Sequence, residues 1–205
     1  MKGIIKNLPA DWQGKGERMN SQREHIIQLF PEIKEIKDAE LRERVIDAWL
    51  LALQDSQWER IEDLPWIPGR AEFITNVQHC RGVARLGMAI ARALLHGTDV
   101  APDVIIDIDI VIAGCLLHDL GKMLEYASPP HPPGTKTPLG KHMMHHILGA
   151  HLAIKAGLPT EVVHCIESHR EAESFERSYE AKIVHYSDML HADAVLTAHP
   201  EVSIF

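Results

Sequence analysis

The chain has 205 residues, of which 21 are Lys or Arg and 29 are Asp or Glu, so its formal net charge is −8. This acidic balance argues against a general nucleic-acid-binding protein and against docking on anionic lipid, since both require an excess of basic residues. A hydrophobic content of 45% excludes intrinsic disorder, and the length predicts one domain, with or without an extension.

Apolar residues at helical spacing predict an all-α fold. Two helices are predicted near the N-terminus, over Ser21–Phe30 and Asp38–Ser56, and a turn rich in Pro and Gly follows at 63–69. We take this turn as the boundary between an N-terminal helical extension, residues 1–70, and a main domain, residues 71–205. Five further helices are predicted, over Glu72–His96, Asp109–Tyr126, Lys141–Gly157, Thr160–Arg170 and Ser178–Ala198. No strand is predicted.

The helix predicted over Asp109–Tyr126 is apolar on nearly all sides between Ile110 and Leu124, so we expect it to be buried. It nevertheless carries His118 and Asp119 near its end. An unpaired charge in a protein interior is strongly unfavourable, so the carboxylate needs a partner.

Four other predicted helices each place one His or Asp on the apolar face. These residues are His79, His145, His169 and Asp188. One such residue taken alone is usually a hydrogen-bonded core side chain, but six inward polar groups in one small core would leave charges unpaired unless they share an ion. Imidazole and carboxylate together favour Fe, Mn, Zn or Co over Ca or Mg. The set therefore predicts a transition-metal site.

The segment Leu116–Lys122, which reads LLHDLGK, resembles the central motif of the HD superfamily of metal-dependent phosphohydrolases. Three later segments resemble that family's following motifs: His145–Ala150, Ile166–His169 and Ile183–Asp188. The resemblance covers about residues 74–195. It implies an HD-type helical bundle built around a metal centre, in agreement with the predicted helices.

The resemblance also implies the metal ligands. One ion would be held by His79, His118, Asp119 and Asp188. A second would be held by His145 and His169, with Asp119 bridging the two ions. We expect one or two divalent transition-metal ions per chain, with Fe or Mn favoured and Zn also compatible.

The implied reaction is hydrolysis of a phosphate ester, of a nucleotide or another small phosphorylated metabolite, through a metal-activated water. Asp119 and Lys122 are the predicted catalytic residues. Lys122 lies one helical turn after His118 and would contact a phosphate oxygen; the alternative is a solvated lysine at a helix end. Two other functions remain open, a di-iron oxygenase and a non-catalytic ligand sensor with the same fold.

The three cysteines follow no pairing pattern, and the N-terminus shows no signal-peptide pattern. The longest charge-free apolar run, Ile110–Leu117, has 8 residues, whereas a membrane span needs about 20. We therefore expect a cytoplasmic protein whose partner is a small phosphorylated substrate, with no nucleic-acid polymer and no membrane. Whether residues 1–70 cover the site or form a homodimer interface stays open.

Overall fold

The computed structural model describes residues 10–96, 105–170 and 176–202. These residues are mostly helical, which confirms the predicted all-α class. The helices, in chain order, are α1 (Ala10–Leu29), α2 (Ala39–Asp55), α3 (Asn76–His96), α4 (Ile108–Leu117), α5 (Lys122–Glu125), α6 (His145–Lys155), α7 (Thr160–Ser168) and α8 (Tyr179–Ala198). Two short 3-10 helices, Pro31–Glu35 and Ile61–Asp63, and two strands, β1 (Pro65–Ile67) and β2 (Ala71–Thr75), complete the described elements.

The helix α4 forms the centre of the bundle. Every residue from Ile110 to Leu117 is buried, and α4 packs against α3, α7 and α8, with α2 on its remaining side. Asp107 caps its first turn, since its carboxylate accepts hydrogen bonds from the backbone N–H groups of Asp109 and Ile110 at 2.9 and 3.3 Å. The apolar sequence of this helix is therefore explained by contact with neighbours on all sides.

The continuous helix predicted over Asp109–Tyr126 is wrong in its middle. After Leu117 the backbone tightens into turns in which Leu120 N–H donates to Leu117 O at 3.0 Å and Lys122 N–H donates to Asp119 O at 3.1 Å. These bonds span three residues rather than four, so the chain changes direction before α5 begins. The change of direction places His118 and Asp119 at the exit of the buried helix.

The region around residue 70 also differs from the prediction. The predicted helix start at Glu72 is wrong, because Ala71–Thr75 pairs antiparallel with Pro65–Ile67 as a hairpin and α3 begins only at Asn76. The predicted absence of strands is wrong for the same reason. Gly69 turns the hairpin with φ of +82°, a conformation that favours glycine. The strand β2 follows this turn and ends in Phe73, Ile74 and Thr75, which are residue types that favour strands.

The N-terminal helices share a core with the rest of the described chain. α1 packs on α2, and α2 packs against both α4 and α6. Trp49 on α2 is fully buried, with its ring stacked on Phe30 at a centroid distance of 4.7 Å. The buried carboxylate of Glu32 accepts hydrogen bonds from Nε of Arg81 and of Arg85 on α3, at 3.0 and 2.9 Å. A separate unit ending at residue 70 stays a prediction.

None of the helices within residues 10–96, 105–170 and 176–202 combines the length and the hydrophobicity that a membrane crossing needs.

Candidate metal centre

The bundle gathers the predicted site residues from five helices or their ends. These residues are His79 on α3, His118 and Asp119 after α4, His145 at the start of α6, His169 after α7 and Asp188 on α8. The four imidazoles and the Asp119 carboxylate are buried, while the side chain of Asp188 is 19% exposed. Residues that are far apart in the sequence thus meet in one cluster.

The first part of the cluster consists of His79, His118, Asp119 and Asp188. His79 Nε2 lies 3.2 Å from His118 Nε2 and 3.0 Å from Asp188 Oδ1. His118 Nε2 lies 3.5 Å from Asp119 Oδ2 and 3.6 Å from Asp188 Oδ1. His79, His118 and Asp119 thus form one compact group between α3 and α4, and Asp188 on α8 adjoins it through His79 and His118.

The second part of the cluster shares Asp119 with the first. The other carboxylate oxygen of Asp119, Oδ1, lies 3.5 Å from Nε2 of His145. The His169 ring completes this side, with its centroid 5.4 Å from that of His145 and 5.1 Å from that of His118. In each of the triads His79–His118–Asp119 and Asp119–His145–His169, the candidate ligand atoms all lie within 4.8 Å of one another.

Two of the inward histidines are oriented by backbone carbonyl groups. Nδ1 of His118 lies 2.8 Å from the carbonyl oxygen of Cys115, and Nδ1 of His169 lies 2.7 Å from that of Ile166. Because a carbonyl oxygen only accepts, each Nδ1 carries a proton, and Nε2 of the neutral ring has a free lone pair. Metal-binding histidines are commonly oriented in this way.

Glu125 orients His145, although it is not among the site residues predicted from the sequence. Its Oε2 accepts a hydrogen bond from Nδ1 of His145 at 2.7 Å and from the backbone N–H of the same residue at 3.1 Å. Glu125 thereby fixes the His145 ring and satisfies the first amide of α6, so this helix begins at His145 rather than at the predicted Lys141. Its other oxygen accepts from the ammonium group of Lys136. No local spacing links Glu125 to His145, 20 residues away.

The donor set fits a cation. With the proton on Nδ1, the Nε2 atoms of His118 and His145 face the oxygens of Asp119 across 3.5 Å, which is longer than an ordinary hydrogen bond. Lone pairs and anionic oxygens repel one another unless positive charge lies between them. Neutral imidazole and carboxylate are also the ligands that first-row transition metals accept. The two triads can therefore hold metal ions whose identity the geometry leaves open.

Lys122 contacts the site from the side of the hairpin. Its ammonium group donates to Asp119 Oδ2 at 2.6 Å and to the backbone carbonyl oxygen of Trp66 at 2.8 Å. The Trp66 ring stacks on His79, with centroids 4.6 Å apart and an interplanar angle of 21°. Lys122 is buried, so the alternative of a solvated lysine at a helix end is wrong. No pattern in the sequence indicated a role for Trp66 at the site.

Burial and charge set the protonation of the cluster. Burial lowers the pKa of His79 to about 4 and that of His169 to about 3, so both rings are neutral at physiological pH. Burial also disfavours the charged form of His118, but the carboxylates of Asp119 and Asp188 outweigh it and raise its pKa. Burial alone would raise the pKa of Asp119, yet the nearby Lys122 ammonium and the imidazoles lower it. The centre of the cluster thus attracts positive charge.

The metal-free protein is expected to lose stability when the pH falls from about 6.5 to about 4. Across this window the unfolded chain protonates both imidazoles, whereas folded His79 and His169 stay neutral, so the unfolded state binds more protons. Each extra proton lowers the free energy of unfolding by about 1.4 kcal/mol per pH unit. The raised pKa of His118 contributes stability that is fully present below about pH 6.5 and is lost as the pH rises above it, so it does not change the slope in this window.

Denaturant unfolding of chelator-treated protein at pH 7, 6 and 5 measures this slope. His169→Gln removes one of these two strongly lowered pKa values and should make the slope measurably shallower. An unfolding free energy that is constant or increases on acidification would contradict the assignment of neutral imidazoles.

Comparison with protein-family models places residues 76–193 in a match to the family described as HD domain. This match covers more than half of the chain and begins at the first residue of α3. All six predicted metal ligands lie within it. Comparison with curated proteins and with solved structures gives no significant match.

Proposed function

Because the chain belongs to the HD domain family, whose members are generally metal-dependent phosphohydrolases, we propose that it hydrolyses a phosphate ester of a nucleotide or another small phosphorylated metabolite. The observation that carries the proposal is the pair of buried triads that share Asp119. A carboxylate with one oxygen directed to each side suits two cations placed side by side, the arrangement used for displacement at phosphorus.

The proposed ligands of the first ion are His79, His118, Asp119 and Asp188, and those of the second are Asp119, His145 and His169. Fe or Mn is the favoured metal, and Zn is compatible with the same ligands. Divalent ions bound in this way lower the pKa of a water molecule and neutralise phosphoryl oxygens.

The protein's own side chains prepare the site for a phosphate group. Asp188 is the most exposed of the six ligand candidates, so the substrate is proposed to approach along its side of the cluster. Lys122 uses two of its three N–H donors on Asp119 and on the Trp66 carbonyl, which leaves one for a phosphate oxygen of the substrate. The hydrogen bond from Lys122 to Asp119 also holds the shared carboxylate in place.

The decisive experiment is phosphate release from a panel of nucleotide and small-metabolite phosphate esters. The full chain is stripped with chelator and reloaded with Mn²⁺, or with Fe²⁺ without oxygen. Phosphate release that requires the metal is expected. Metal-loaded protein that releases no phosphate from any ester, while the iron form consumes oxygen with an organic substrate, would replace the hydrolase with the oxygenase. Metal-free protein that takes up no ion would overturn the metal centre itself.

His145, rather than the adjacent His146, is expected to bind metal. His145 Nε2 faces Asp119, whereas His146 lies outside both triads, with its ring centroid 5.9 Å from that of His145. His145→Ala should lower the metal content from two ions per chain toward one, and His146→Ala, the matched control, should leave it close to that of the wild type. Elemental analysis after reconstitution measures both, and the reverse result would show that the neighbouring histidine is the ligand.

A further inference from the structure

The four inward histidines differ in what holds the ring nitrogen that faces away from the cluster. In His118, His145 and His169 this nitrogen, Nδ1, lies against an oxygen that accepts a hydrogen bond. In His79 it lies 3.0 Å from another imidazole, with Nδ1 of His191 as its partner. Either of these two nitrogens can carry the shared proton, so the tautomer of His79 depends on His191.

The His191 ring packs closely between α3 and the hairpin, next to the candidate metal centre. His191 follows Asp188 by three residues on α8, so both side chains lie on one face of that helix. The His191 ring contacts the Trp66 ring edge-on, with a distance of 6.5 Å between the ring centroids. On α3, a Cβ atom at Gly82 would collide with Nε2 and Cδ2 of the His191 ring. The His191 imidazole therefore occupies space that is free only because residue 82 has no side chain.

We propose that His191 is a positioning residue that accepts the Nδ1 proton of His79 and so keeps the Nε2 lone pair of His79 free for metal. The inference rests on the metal centre of the proposed function. The opposite proton arrangement places a hydrogen on Nε2 of His79, where it points to Asp188 Oδ1 at 3.0 Å. His79 would then be a hydrogen-bond donor to Asp188 and could not be a ligand, so His191 selects between these two states.

Three substitutions at position 191 separate this role from packing. The side-chain oxygen of His191→Asn stands close to the place of Nδ1 and keeps the acceptor, while His191→Leu keeps the bulk and removes it. The affinity for Mn²⁺ alone is measured by electron paramagnetic resonance and by competition with a chelating dye. His191→Leu is expected to bind Mn²⁺ about 10- to 100-fold more weakly, the usual effect of losing a partner of a metal-binding histidine, and His191→Asn should recover most of this loss. His191→Ala serves as the background for a second test.

Gly82 provides that second test. Gly82→Ala should displace the His191 ring and weaken Mn²⁺ binding in the wild-type background. In the His191→Ala background it should have little further effect, because the displaced ring is already absent. Circular dichroism confirms the fold of each variant.

The outcomes distinguish this inference from the proposed function. Recovery by His191→Asn together with non-additivity at Gly82 supports the positioning role. Wild-type protein that binds Mn²⁺ normally, with His191→Leu equal to it or with His191→Asn no better than His191→Leu, overturns the role of His191 alone. Wild-type protein that binds no Mn²⁺ overturns this role and the metal centre together.

Discussion

Replacement of Asp119 by asparagine is expected to remove metal from both triads and abolish phosphate release, while the helical fold persists. Asp119 directs Oδ2 toward His118 and Oδ1 toward His145, each at 3.5 Å. The amide of asparagine has one oxygen and no charge, so it cannot serve two cations at once. Elemental analysis and the phosphate-release assay measure the loss, and circular dichroism measures the fold. A folded variant with wild-type metal content and rate would refute the bridging role.

The stability of this variant can be separated from its metal binding. Asp119→Asn leaves the buried ammonium of Lys122 without its anionic partner, and breaking a buried ion pair from one side costs about 3–5 kcal/mol. The double variant Asp119→Asn, Lys122→Met removes both charges and should recover much of the unfolding free energy. It should not recover metal binding, because the bridging carboxylate is still missing.

Replacement of Gly121 by alanine is expected to open the site without touching a ligand. A Cβ atom there would collide with the backbone carbonyl of His145 and lie 2.5 Å from the amide nitrogen of Gly149. Both contacts are with main-chain atoms, so α6 must move away, and His145 must move away from Asp119. We expect the free energy of unfolding to fall by about 1–3 kcal/mol or more. We also expect the second ion to be lost while the first is retained.

A matched control separates the movement of α6 from general overpacking. Gly87→Ala on α3 introduces the same methyl group, which would lie 2.6 Å from Sγ of Cys115 and far along the chain from α6. This variant should also be less stable in denaturant unfolding, but it should keep both ions. Two ions bound to Gly121→Ala with wild-type affinity would show that α6 tolerates the methyl group in place.

The sequence was informative where one helix face is buried. His79, His145 and Asp188 share faces with apolar residues, so the spacing predicts that each points into the core; that they meet at one metal centre follows from the cost of unpaired buried charge and from the family resemblance. The residues that hold those side chains could not be found in this way. Glu125 reaches His145 across an intervening loop, and His191 was visible only as a neighbour of Asp188 on the same helical line. Such contacts depend on how distant segments pack, which local periodicity does not encode.

The errors in the element boundaries have a similar origin. The sequence predicts a helix from Glu72, but pairing with β1 across the turn at Gly69 takes precedence. The break after Leu117 lies within an apolar sequence that continues past it. There the tertiary packing of Gly121 against α6 decides the backbone path, and propensity does not.

The contact between Lys122 and Trp66 has a consequence for how this centre can change during evolution. The acceptor is a main-chain oxygen that lies ahead of the segment matched by the family model, which begins at residue 76. Every amino acid supplies such an oxygen, so the lysine contact itself sets no requirement on the side chain at position 66, whose indole ring is instead constrained by its stacking on His79. For the lysine, selection must preserve the path of the hairpin, and substitution patterns at position 66 would report the packing of the ring on His79 rather than this backbone contact.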